Sequence, residues 1–220
     1  MSACGHAGPD FSAGVLMLVD NKSKEKEQSP ERGLTLSCRI RSLFFPDLIV
    51  GSPLAIDFAR LVSWGFRLAL VDIDNTLVRH GSQAGDDHAV RVIRRMQDAG
   101  LTPVVASNAP RKRARAFADS LGIEFIAKAK KPQIEAICLA LEERACLPQH
   151  TIMIGDQLLT DVWSARKAGI PVILTDRRSR QEIITVRLKR PLEWLLIRLG
   201  GKTRWHALRE NYTGLAPEES

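Results

Sequence analysis

From residue 67 to residue 175, short apolar runs alternate with longer stretches in which apolar residues recur at helical spacing. The runs cover 67–73, 101–107, 124–128, 151–155 and 171–175, each of strand length. Between them Ala89, Val92, Ile93 and Met96, and then Ala114, Phe117, Ala118 and Leu121, fall on one face of a helix. Gly100, Gly122 and Gly169 stand where such helices would stop. Strand and helix in alternation predict a parallel sheet with right-handed crossovers: a three-layer, doubly wound, Rossmann-like α/β unit. No internal sequence repeat accompanies this rhythm.

The flanks read differently. Residues 1–33 mix Gly, Ser and Pro with the charged string 22–27 and little apolar periodicity, which predicts a disordered arm. An extended opening around Phe44-Phe45-Pro46-Asp47 and a helix from about Pro53 to Trp64 lead into the first strand. The globular domain is expected over 34–185, followed by a basic C-terminal extension, 186–220, that is partly helical from Arg190-Pro191 onward.

With 220 residues, 45% of them hydrophobic, the chain can bury one substantial core. Cys4, Cys38, Cys138 and Cys146 form no CxxC pair and no zinc spacing, which fits a reducing, cytoplasmic setting; Cys138 and Cys146 are expected to be small core residues. The run Val15-Leu16-Met17-Leu18-Val19 is too short to span a bilayer, and no apolar run reaches the roughly 18 residues a spanning helix needs. The net charge of +7 is concentrated: between Arg177 and Arg209, ten Lys/Arg face only Glu182 and Glu193. That asymmetry suits an anionic surface, peripheral membrane first and nucleic acid second, or simply a solvated basic face.

Chemistry gathers at the strand ends. Asp72 and Asp74 follow the first run, Ser107-Asn108 the second, Lys130-Lys131-Pro132 the third and Gly155-Asp156 the fourth. In a doubly wound sheet these are the ends that line a binding crevice. Two acids around one small space repel unless a cation neutralises them, and Mg²⁺ prefers such oxygen ligands. Asp, Asn, Ser and Thr also cap helices and make turns, so no single position decides.

The ordered set resembles the haloacid dehalogenase (HAD) superfamily: Asp72-Ile73-Asp74-Asn75-Thr76-Leu77 as its first motif, Ser107 as its second, Lys131 before Pro132 as its third, and Gly155-Asp156 with Asp161 as its fourth. The forms Ala106-Ser107-Asn108 and 155–161, with the upstream Pro46-Asp47-Leu48-Ile49-Val50, look like the capless subfamily IIIA and its YqeG-type branch, which is similar to mitochondrial phosphatidylglycerophosphate phosphatase. The resemblance implies a HAD fold in which Asp72 attacks phosphorus and Asp74 acts as acid and then base. It further implies phosphate held by Ser107, Asn108 and Lys131, and Mg²⁺ held by Asp72, the Asp74 backbone carbonyl and Asp156. Asp161 would ligate the metal, hold a metal water or orient Lys131. Only about a dozen residues follow Leu77 before the next helix, and the third run leads directly to Lys131, so neither place for a cap domain has room for one.

The chain departs from that branch at Ala109, where a second Asn is common, and in the basic Arg111-Lys112-Arg113-Ala114-Arg115, which is expected to meet a second anionic group. His80 and His88 are expected at solvated loop positions, and Leu192, Leu195, Leu196 and Leu199 to pack on the sheet unit unless their helix lies on a membrane. The expected function is a Mg²⁺-dependent phosphomonoester hydrolase acting on a lipid phosphate such as phosphatidylglycerophosphate. The rivals are a phosphatase of soluble sugar or nucleotide phosphates and a non-catalytic RNA- or membrane-binding module.

Overall fold

The computed structural model describes residues 35–179 and 190–217. The expectation for residues 1–33 therefore lies outside the described residues. Six parallel strands form one sheet in the order β1-β6-β5-β2-β3-β4. They are β1 (Leu48–Val50), β2 (Leu68–Val71), β3 (Thr102–Val105), β4 (Glu124–Phe125), β5 (Thr151–Gly155) and β6 (Val172–Thr175). The helices are α1 (Leu36–Phe44), α2 (Phe58–Ser63), α3 (Asp87–Asp98), α4 (Arg111–Leu121), α5 (Glu135–Glu143), α6 (Trp163–Lys167), α7 (Arg190–Gly200) and α8 (Lys202–His206). This is the Rossmann-like α/β architecture the apolar rhythm predicts.

Alternation along the strands builds the layers. Ala69, Val71, Val105, Ile152 and Ile154 face a cluster formed with α2, α3 and α4, while Leu68, Leu70, Val104, Met153 and Val172 face one formed with α5 and α6. Both strand faces are buried, as a sheet covered on two sides requires. Met96 and Phe117 are fully buried, so the face read from 3.6-residue spacing is the face that packs.

Several expectations need correcting. β1, a sixth strand, adds to β6 through Leu48↔Ile173 and Val50↔Thr175, and α1 replaces part of the extended opening. The helix expected over 53–64 is two pieces: a 3₁₀ turn at Pro53–Ala55, then α2, whose start is capped by the Asp57 side chain accepting from the Arg60 N–H at 3.0 Å. The third run pairs only over Glu124–Phe125, because Lys128 and Lys130 take positive φ (56° and 48°), which no strand accommodates. Cys138 and Cys146 are half-buried rather than core.

No further domain is inserted between β2 and α3 or between β4 and α5. The tail returns to the body: Leu215 is buried in the α2–α4 cluster, and Arg209 bridges to Ile49. In α7 the buried positions are Glu193 and Gly200, where a β-carbon would strike Phe45. Leu192, Leu195 and Leu199 are exposed together with Trp194, correcting the expectation that they pack on the sheet unit. No helix among the described residues is long and apolar enough to cross a membrane.

Candidate active site

The strand order reverses between β2 and β5, since the chain runs outward from β2 through β3 to β4 and then returns to β5 on its other side. Adjacent parallel strands are about 4.8 Å apart, so the residues just past their carboxyl ends are neighbours without further engineering. Asp72 follows β2 and donates its N–H to the Ile154 carbonyl at 2.9 Å; Asp156 follows β5. Asp72, Asp156 and Asp161 each offer a carboxylate oxygen within 4.8 Å of the others, and all three are buried.

Asp161 comes from the turn after β5. A single π-helical turn, Leu158–Val162, widens the helix start, and the Asp161 side chain folds back to accept the Gln157 N–H at 3.0 Å. It lies over Gly155, where any β-carbon would collide with its carboxylate, so the glycine is required by close approach.

Lys131 reaches the cluster from the loop after β4. Its Nζ donates to Asp72 Oδ1 at 2.8 Å and to Asp161 Oδ1, and its side chain is almost wholly buried. Lys128 and Lys130 are exposed, so the three lysines of this loop are not interchangeable. Burial works against the Lys131 ammonium, but the Asp161 and Asp72 carboxylates outweigh it and hold its pKa above the ordinary lysine value. Asp72 is pushed up to about 6, first by burial and then by Asp161 and Asp74, with Lys131 opposing. Three buried carboxylates and one buried ammonium leave two negative charges, and the donors are all hard oxygens. The site therefore fits a divalent cation on charge and on ligand chemistry.

Ser107 is buried at the end of β3, where its hydroxyl accepts the Ala109 N–H at 3.2 Å. Asn108, expected to bind substrate, is instead engaged with the backbone of Lys131. Its side-chain amide donates to the Lys131 carbonyl and accepts the Lys131 N–H, both at 2.7 Å. It splints the lysine loop to the β3 loop. Pro110 is the N-cap of α4.

The Asp74 carboxylate is not a member of the acid cluster and has partners of its own. Arg113 donates to both its oxygens, at 2.6 and 2.8 Å, the Gly81 N–H donates to Oδ1 at 3.0 Å, and His80 Nδ1 lies 3.3 Å from Oδ1. Burial raises the Asp74 pKa, but Arg113, Gly81 and His80 together hold it below the usual carboxylate range. Arg113, expected to meet a second anionic group, is committed to Asp74, and His80, expected in solvent, sits beside it. His88 is likewise drawn inward, between Ser52 and the Leu77 carbonyl. Helical spacing puts Arg113 next to inward-facing Ala114, but nothing in the sequence assigns its partner.

A buried acid–lysine cluster thus lies at the switch point of a parallel sheet, with donors and charge that fit a divalent cation. The family model described as haloacid dehalogenase-like hydrolase matches residues 82–169. The chain is 29% identical over 154 residues to the probable phosphatase YqeG of Bacillus subtilis (strain 168), covering 70% of this chain and 90% of that protein. Solved structures similar to this chain include a hypothetical protein from Xanthomonas campestris (19% identity, TM-score 0.44, covering 70% of this chain and 94% of that one). Another is 3-deoxy-D-manno-octulosonate 8-phosphate phosphatase from Moraxella catarrhalis (13% identity, TM-score 0.41, covering 69% and 95%).

Proposed function

We propose that the protein is a Mg²⁺-dependent phosphomonoester hydrolase that works through an aspartyl-phosphate on Asp72. The observation that carries this reading is the buried set of Asp72, Lys131, Asp156 and Asp161 at the β2/β5 switch point. The two sequence matches support phosphatase activity.

In this reading the Asp72 carboxylate attacks phosphorus, and the ester oxygen departs with a proton from Asp74. Water then attacks phosphorus and passes a proton back to Asp74, the bond to Asp72 breaks, and inorganic phosphate leaves. Lys131 fixes the nucleophile and supplies positive charge to the phosphoryl oxygens, which Ser107 also helps to hold. Mg²⁺ held by Asp72, the Asp74 backbone carbonyl and Asp156 would supply the charge neutralisation that lets one anion approach another. With one oxygen on Lys131 and the other on the Gln157 amide, Asp161 is better suited to orienting the lysine than to ligating the cation.

The absence of an inserted domain at either side of the site favours a bulky ester, such as a lipid phosphate of the phosphatidylglycerophosphate kind, over a small metabolite that needs a lid. The exposed Leu192, Trp194, Leu195 and Leu199 on α7, within the basic extension 186–220, support peripheral contact with an anionic membrane over binding of RNA. The test is hydrolysis of p-nitrophenyl phosphate and of a panel of lipid, sugar and nucleotide monophosphates. Activity is expected only with Mg²⁺, and Asp72→Asn should reduce it by roughly a thousandfold or more. Equal activity in chelator, or in Asp72→Asn, would contradict the reading.

A further inference from the structure

We propose that Arg113, assisted by His80, is a positioning residue that holds Asp74 as the base for hydrolysis of phospho-Asp72. The inference rests on the reading of Asp72 as nucleophile. Arg113 stands in the first turn of α4, and that helix is fixed to the core by buried Ala114, Phe117 and Ala118. Its guanidinium is engaged on two sides. Nη1 and Nη2 fork onto Asp74 Oδ2 and Oδ1, while Nε and Nη2 donate to the Ser82 carbonyl at 3.0 and 2.9 Å. A planar fork with both ends fixed sets the plane and rotamer of the carboxylate it holds. The Gly81 N–H and His80 lie on the same carboxylate, so the loop after the first motif and the start of α4 close on it together.

The Arg113 and Gly81 N–H groups donate to the Asp74 carboxylate and fix its orientation, leaving lone pairs on both oxygens to accept a proton. That suits the second half of the reaction. The water oxygen bonds to phosphorus and its proton passes to Asp74. The phosphorus–oxygen bond to Asp72 breaks with its electron pair returning to that carboxylate, and inorganic phosphate departs. The proton gained by Asp74 is then available to the leaving oxygen of the next ester, which closes the cycle.

The two halves of the reaction are separable by kinetics. With p-nitrophenyl phosphate the leaving group is a stable anion, so transfer to Asp72 needs little help from a proton. The ratio kcat/KM reports steps up to departure of that anion, while kcat also includes hydrolysis of phospho-Asp72. In Arg113→Gln, kcat is expected to fall by about 100-fold with kcat/KM little changed, and intact-protein mass spectrometry of quenched turnover should find phosphorylated enzyme accumulating. Arg113→Lys, which keeps the charge without the fork, should fall between, and His80→Ala should give the same split at smaller size if Arg113→Gln fails to fold. Arg94→Gln, exposed on α3, is the control. Equal losses in kcat and kcat/KM, or no rise in phosphoenzyme, would overturn the role of Arg113 while leaving the reading of Asp72 intact. An unaltered chain that never becomes phosphorylated would overturn that reading, and this inference with it.

Discussion

Asp72 is the group with most to gain from a cation. Its folded-state pKa of about 6 lies above the ordinary aspartate value of about 3.9, so between these limits the native protein keeps a proton that the unfolded chain releases. The contribution of this residue to stability is thus largest at low pH and declines as pH rises through about 6. A divalent cation held at Asp72, as proposed, would bind the ionised form and offset that loss. Thermal unfolding should show a larger gain from Mg²⁺ at about pH 7.5 than at about pH 5; an equal gain at both would separate the cation from the Asp72 carboxylate. Asp72 and Asp156 are legible as residues directly after apolar runs, since a strand end fixes where its next residue goes; Lys131 and Asp161 lie on a loop and a turn beyond the strands and enter only through the resemblance. Asn108, His80 and Arg113 are visible as residue types but not as partners. The role of Asn108 depends on meeting the Lys131 backbone across 23 positions of chain, and that of Arg113 on meeting the Asp74 side chain across 39, which periodicity does not encode.

At the scale of elements, long periodic segments are the readable ones. The apolar faces of α3 and α4 can be read position by position, whereas β1, three residues long, carries too little alternation to be told from a loop. Asp57 is both a plausible helix residue and a cap, and only the fold chooses the second. α7 shows a different error: of its apolar residues Ile197 packs against the core, yet the most buried positions are Glu193 and Gly200. The outward face presents Trp194 with Arg198 at 5.4 Å and Lys202 at 5.9 Å from its ring, an amphipathic aromatic flanked by cations. Replacing Leu192, Trp194 and Leu195 with Ser should weaken flotation with anionic vesicles by at least ~10-fold, and salt should weaken it in the intact chain. Unchanged flotation in the variant would remove α7 from the membrane account.

Taken as one molecule, the protein uses its sheet to collect charge. Parallel pairing places the ends of β2 and β5 side by side, the π-helical turn brings in Asp161, and the splint from Asn108 steadies the lysine that answers both Asp72 and Asp161. The core around them is apolar on both faces of the sheet, so the charges depend chiefly on one another to lower their energy. That arrangement is costly without a ligand and is the reason for placing phosphoryl transfer there. The most direct measurement is a crystal structure of the protein with Mg²⁺ and beryllium trifluoride, a mimic of a phosphorylated aspartate. The account predicts the trifluoride on an Asp72 oxygen beside Lys131, with the cation between the Asp72 and Asp156 carboxylates. Trifluoride on another residue, or a cation bound away from both acids, would contradict it.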